Sequence, residues 1–192
     1  MPGAHRRLTK DLRNFQRATL KVPVEFGLQV RPDLRKGSPK AAPEGEGEKK
    51  RRGVTAMIGI GGMFIQTGDF FSTGSEIWIK FKLPGEKQII QADGTVAWVI
   101  SKPKSSKRYP HPGMGIKFNR VDESAMALID SYVTKKNRIF RELKFLVTQE
   151  NPPMNKINEL LTSTYIQDYR SLEDLQKQID WEMTSFRFSR TN

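Results

Sequence analysis

A small antiparallel β-barrel or sandwich followed by helices is the fold that this 192-residue sequence predicts. Three observations carry it. From about residue 20 to residue 121, apolar and polar residues alternate in six short runs separated by turn-forming residues. From Asp122 onward the apolar period lengthens to that of an amphipathic helix. The apolar runs are only a few residues long, too short for a transmembrane helix.

The first strand lies in ATLKVPVEFGLQV, where Leu20, Val22, Val24 and Phe26 alternate with polar or small neighbours. Pro23 predicts an edge strand or a nearby bulge, because proline cannot donate to the ladder. Residues 31–52 are rich in Pro, Gly, Lys and Glu with almost nothing to bury, and read as a mobile insertion. Next comes GVTAMIGIGGMFIQT, residues 53–67, in which Val54, Ala56, Ile58 and Ile60 fall on one face and Thr55, Met57 and Gly59 on the other. The segment also raises a question, since glycine within a strand is costly unless it permits a bulge, a tight bend or the approach of another group. Gly61 and Gly62 predict a tight junction between two strands.

EIWIKFKL supplies Ile77, Ile79 and Phe81, and LPGEK predicts a turn centred on Pro84-Gly85. IIQADGTVAWVI forms another strand with Gly94 as a bulge, SKPKSSKRYPHPG a polar loop, and GMGIKFNRV the last strand. Asp122 is placed to cap a helix carrying Met126, Ile129, Tyr132, Val133, Ile139, Phe140 and Leu143. Asn151-Pro152-Pro153 stops it. Two further helices are expected, near 154–163 and 172–186. The second opens on a variant capping box, Ser171 to Asp174, and Leu172, Leu175, Ile179 and Met183 make its apolar stripe.

The formal charge of +12 is unevenly distributed. Residues 1–52 hold 14 Lys/Arg against 6 Asp/Glu, and the rest of the chain 19 against 15. The excess at the N-terminal end suits an anionic partner or a solubilising segment. Cysteine is absent, which excludes disulfides and thiolate chemistry and fits a reducing compartment. No apolar core follows MPGAHRRLTKDLR, so it does not read as a secretory signal, and a cytoplasmic location is expected. His5 and His111 stand apart from any carboxylate pair or metal-ligand spacing. No catalytic motif is present, and neither an enzyme, a metal nor a cofactor is expected.

Arg13 and Arg17, in RNFQR just ahead of the first strand, can both reach one anion. The guanidinium fork can bond a phosphate, or the O6/N7 edge of guanine, through two parallel hydrogen bonds. The same spacing is common on exposed helices, where arginines contact only water.

RNFQRATLKVPVEF, GIGGMFIQT, TGSEIWIKFKLPG, ADGTVAWV and GMGIKF, in that order, resemble the PilZ domain family over roughly residues 10–135. The resemblance implies a six-stranded antiparallel PilZ-like β-barrel with a C-terminal helix. Together with the charge, composition and periodicity above, it divides the chain into a basic arm (1–17), the barrel (18–121, with insertion 31–52), a helix (122–150) and a helical extension (151–192). Many members bind the bacterial second messenger cyclic di-GMP, and Arg13 and Arg17 would then contact its bases and phosphates. The family's second motif, Asp/Asn-x-Ser-x-x-Gly, falls on Met57, Gly59 and Gly62, and only Gly62 matches. Methionine cannot accept guanine N–H bonds and glycine has no hydroxyl, so two polar contacts are lost. An outward Met57 is an adaptable apolar surface better suited to a protein.

The resemblance therefore implies a non-enzymatic adaptor that binds cyclic di-GMP and signals to a protein effector, in processes such as motility. The alternative is a degenerate domain acting by protein contact alone, with effector binding or self-association through the C-terminal helices. Nucleic-acid binding through the basic arm ranks last, because only charge speaks for it.

Overall fold

The computed structural model describes residues 16–29, 50–102, 111–164, 166 and 168–187. Seven strand segments occur among them: β1 Arg17–Thr19, β2 Pro23–Leu28, β3 Arg51–Gly59, β4 Gly62–Gln66, β5 Glu76–Lys82, β6 Ile89–Ile100 and β7 Gly113–Val121. The sheet runs β1-β3-β2-β5-β6-β7-β4, and β4 also pairs with β3, which closes a six-stranded antiparallel barrel.

The seventh segment is β1, and it arises from a break in the run read as one strand. β1 and β2 lie along the same edge of β3: Arg17–Thr19 pair with its distal end at Gly59–Met57, and Pro23–Phe26 with its proximal end at Val54–Arg51. Thr55 bridges the break. Its buried hydroxyl donates to the Leu20 carbonyl at 3.0 Å, and its amide donates to the Val22 carbonyl at 2.9 Å. Pro23 therefore opens an interior strand, since β2 lies between β3 and β5, and the edge-strand expectation is corrected. As the first residue of β2 it removes no bond from a strand's middle.

β3 begins earlier than its hydrophobic pattern suggests, because Arg51 and Arg52 belong to it and not to the expected insertion. Arg51 donates to the Phe70 carbonyl at 2.8 Å and sits over the Phe71 ring at 3.9 Å. The rest of that insertion, residues 31–49, lies outside the described residues, as do residues 103–110 of the polar loop.

The glycine junction is a two-residue hairpin. Gly59 pairs with Gly62 across Ile60-Gly61, and a Cβ on Gly62 would stand 2.0 Å from the Ile116 carbonyl oxygen. The turn at Leu83–Glu86 closes with a 3.2 Å bond from the Glu86 amide to the Leu83 carbonyl, and Gly85 takes φ +80°. The expected irregularity at Gly94 is present, where the β6–β7 register shifts between Asp93 and Gly94.

Helix α1 spans Glu123–Val147, α2 Met154–Leu161 and α3 Leu172–Arg187. Asp122 occupies the N-cap position of α1 but makes no side-chain capping bond. At α3 the Ser171 hydroxyl accepts from the Asp174 amide at 3.2 Å, as the capping box requires. Asp174 reaches back to the Arg170 amide instead of that of Ser171. Leu172, expected on the apolar stripe, is 37% exposed, whereas Leu175 and Ile179 are fully buried.

At about 37 Å, α1 serves two cores. Ala125, Ile129 and Val133 close the barrel interior over Phe26, Ile65, Ile79 and Phe118. Ile139, Phe140, Leu143, Leu146 and Val147 pack with Ile157 and Leu161 of α2 and with Leu175 and Ile179 of α3. Among the described residues, no helix is long and apolar enough to cross a membrane.

Candidate functional site: the outer wall at the arm

The wall is built where the arm enters the barrel. Ala18 and Ile58 point into the core, so their neighbours Arg17 and Thr19 on β1, and Met57 and Gly59 on β3, face outward. A β-bulge between Thr55 and Met57 separates the two halves of β3. Upstream of it the expected faces are reversed: Thr55 is fully buried and Val54 is 42% exposed. Downstream they are as expected, with Ile58 inside and Met57 and Gly59 outside. One extra residue is sufficient for this, because side-chain direction in a strand has period two.

Strand register arranges the outward residues in two rows. The first runs Arg17, Gly59, Gly62, Lys117 and Thr95 across β1, β3, β4, β7 and β6. The second runs Thr19, Met57, Phe64, Gly115 and Trp98 across the same strands. In the second row Phe64 and Trp98 stack with centroids 5.1 Å apart and planes 14° from parallel. Trp98 lies so close over Gly115 that a Cβ there would stand 2.1 Å from its indole.

Arg17 is the arm residue that can be placed. Its Cγ lies 3.0 Å from the position a Cβ on Gly59 would occupy, and the Gln16 carbonyl oxygen lies 2.7 Å from it. The arginine stem thus covers the glycine that takes the place of the motif's serine. Among the described residues Arg17 forms no ion pair. Arg13 and His5 lie outside the described residues. His111 is exposed, and no cluster of metal-ligating side chains occurs among the described residues.

Met57 departs from expectation. It faces outward yet retains only 7% exposure, so it is not an open apolar surface. The chain's own helices account for this: α1 packs on β1 and β3, and α3 packs on β1. The sequence of β3 alone cannot show this cover, because it comes from helices far along the chain.

The contact between the start of the barrel and the helices is polar, partly charged and at its centre buried. Thr19 Oγ1 donates to Glu182 Oε2 at 2.5 Å, and the Tyr132 hydroxyl donates to the Thr19 carbonyl at 3.3 Å. Asn137 Nδ2 donates to Gln16 Oε1 at 2.9 Å, while the buried Asn137 Oδ1 has no hydrogen-bond partner among the described residues. Lys136 donates to the Ser163 carbonyl. Burial raises the Glu182 carboxyl above its ordinary value, against the Thr19 bond and the attraction of Lys21 and Lys136. Burial likewise lowers Lys136, with Glu182 opposing the shift. Sequence reasoning missed this cluster, although a Glu and a Lys on otherwise apolar helix faces were a signal for it.

The wall can present one arginine and one lysine across glycines, beside an apolar row closed by helices. It holds no carboxylate, amide or hydroxyl at positions 57 and 59 to read a base edge.

Comparison with known proteins places this architecture. The sequence matches the PilZ domain family model over residues 11–135. No curated protein sequence matches it. Among solved structures, the Bacillus subtilis inhibitor of motility MotI/DgrA is similar, with 15% identity and a TM-score of 0.48 over 69% of this chain and 54% of that one. YcgR from Escherichia coli, solved in complex with c-di-GMP, is similar with 14% identity and a TM-score of 0.46, over 69% of this chain and 49% of that one. The chain thus spans about half the length of these two proteins. A tetrameric PilZ domain protein from Xanthomonas campestris, self-assembled through a helical bundle, shares 10% identity with a TM-score of 0.42, over 65% of this chain and 89% of that one. With the family model covering most of the chain and the closed six-stranded barrel to match, the protein belongs to the PilZ domain family.

Proposed function

We propose that this chain is a non-enzymatic PilZ-type signalling adaptor that binds cyclic di-GMP through Arg13 and Arg17 and passes the signal to a protein effector in the cytoplasm. The observation that supports it is the position of Arg17. It stands outward on β1, opposite Gly59 of the second motif, with no carboxylate claiming it among the described residues. A guanidinium placed there is suited to a phosphodiester or a guanine edge. Met57 and Gly59 supply no polar contact to the base, so affinity falls below that of a complete motif by one to several orders of magnitude, at roughly 1–3 kcal/mol per lost contact.

Calorimetric titration of the whole chain with cyclic di-GMP at low salt tests this. Binding heat is expected from the wild type, with at least a tenfold loss of affinity in Arg17→Ala and in Arg13→Ala. Absence of heat in the wild type overturns the reading.

A second reading, a nucleotide-independent module acting by protein contact, is favoured by a different observation. Met57 is already buried beside β1, on which α1 and α3 pack, while Phe145 and Trp181 on those helices are 65% and 47% exposed. They adjoin Lys144 and Asp180, whose ion pair of 2.6 Å ties the two helices together. Self-association measured by sedimentation without nucleotide, and lost in Phe145→Glu, would support this reading. A monomer unchanged by that substitution counts against it.

A further inference from the structure

The first outward row contains a second cation that no motif marks. GMGIKF alternates so that Met114, Ile116 and Phe118 enter the core, leaving Gly115 and Lys117 outside. Lys117 is exposed and pairs with Gly62, which pairs with Gly59, which pairs with Arg17. Arginine and lysine therefore stand at the two ends of a shelf three strand spacings wide, about 14 Å between backbones. Both intervening residues are glycine, so β3 and β4 contribute no side chain to the row between the cations. Neither glycine is free to change: a Cβ would stand 2.7 Å from the Gln16 carbonyl oxygen at Gly59, and 2.0 Å from that of Ile116 at Gly62.

Neither Arg17 nor Lys117 forms an ion pair with a described residue. Thr95, which the Asn119 side chain engages at 2.7 Å, separates Lys117 from Glu76 in the same row. Lysine offers three donors and a compact charge but cannot accept a bond, so it suits a phosphate oxygen better than the donor edge of guanine. Two long cationic side chains rooted at the two ends of one glycine row suit a dianion held between them.

The geometry points to Lys117 as a phosphate-contacting residue of the ligand site, opposite Arg17, an assignment that rests on the cyclic di-GMP reading above. It shifts recognition on this wall from the base edge, which Met57 and Gly59 no longer read, toward the two phosphodiesters. Phosphate contacts of this kind strengthen as salt falls.

The test is a titration of the full chain with cyclic di-GMP, comparing wild type, Lys117→Ala, Lys117→Arg, Arg17→Ala and the control Lys82→Ala. Lys82 is likewise exposed but lies on β5, outside the row. Lys117→Ala is expected to weaken binding about tenfold and to flatten its salt dependence, with Lys117→Arg restoring both and Lys82→Ala matching wild type. If Lys117→Ala binds within twofold of wild type while Arg17→Ala does not bind, the assignment of Lys117 is overturned and the cyclic di-GMP reading stands. If the wild type itself shows no binding, both are overturned.

Discussion

Thr19 and Glu182 meet across 163 residues of sequence: the threonine hydroxyl, on the strand that follows the arm, donates to a glutamate carboxylate of the last helix at 2.5 Å. Thr19 and Arg17 occupy the same outward face of β1, two residues apart. The strand that carries the arm's second arginine is therefore the strand that holds α3.

The Glu182 contact gives stability a pH dependence. Burial raises this carboxyl above its ordinary 4.5, so in the folded chain it keeps a proton that the unfolded chain releases. Its contribution is fully present below 4.5 and is lost as pH rises through the folded value. Lys136 behaves oppositely. Its folded value lies below the ordinary 10.5, so its contribution is present above 10.5 and is lost as pH falls through the lowered value. Lys21 is the other charge acting on Glu182. Glu182→Gln is expected to abolish the decline of Tm that begins above pH 4.5, whereas Glu182→Ala should cost about 1–3 kcal/mol by leaving Thr19 without its acceptor. Thermal melts across pH check both.

Restoring the family serine should fail. In Gly59→Ser the new Cβ must displace the Gln16 carbonyl oxygen at 2.7 Å and the Arg17 stem at 3.0 Å. A loss of roughly 1–3 kcal/mol is expected from such overpacking, with no gain in cyclic di-GMP affinity. Urea denaturation and calorimetry on the same variant measure the two quantities.

Thr55→Val isolates the break between β1 and β2. It keeps the shape of a fully buried side chain but removes the bond to the Leu20 carbonyl and leaves that oxygen unsatisfied. The expected cost is about 1–3 kcal/mol. Amide exchange should quicken at Leu20 and Val22 more than in β5 or β6, and uniform loosening of all strands would contradict the bridging role.

How far the sequence foretold this structure depended on the range of the interaction. The tight junction beside Gly61 and Gly62, the Pro84-Gly85 turn and the irregularity at Gly94 follow from local backbone chemistry and are present, whereas α1 ends at Val147 with Thr148 as its C-cap, short of the stop expected at Asn151-Pro152-Pro153. The stripe of α1 was equally legible, because Ile129, Val133, Phe140 and Leu143 repeat at helical spacing. Ala56 was not, since one extra residue in β3 reverses every side chain upstream and leaves no compositional trace. Nor was the burial of Met57, on a wall where α1 packs against β1 and β3 and α3 against β1. The row from Arg17 to Lys117 needed the pairing of four strands before its two ends could be seen to face one another.

The division of α1 between two cores has a mechanical meaning. One unbroken helix contributes side chains to both, so neither core can be repacked without strain on the element it shares with the other. The bundle at its far end is therefore fixed to the barrel twice, through the shared helix and through the hold of α3 on β1.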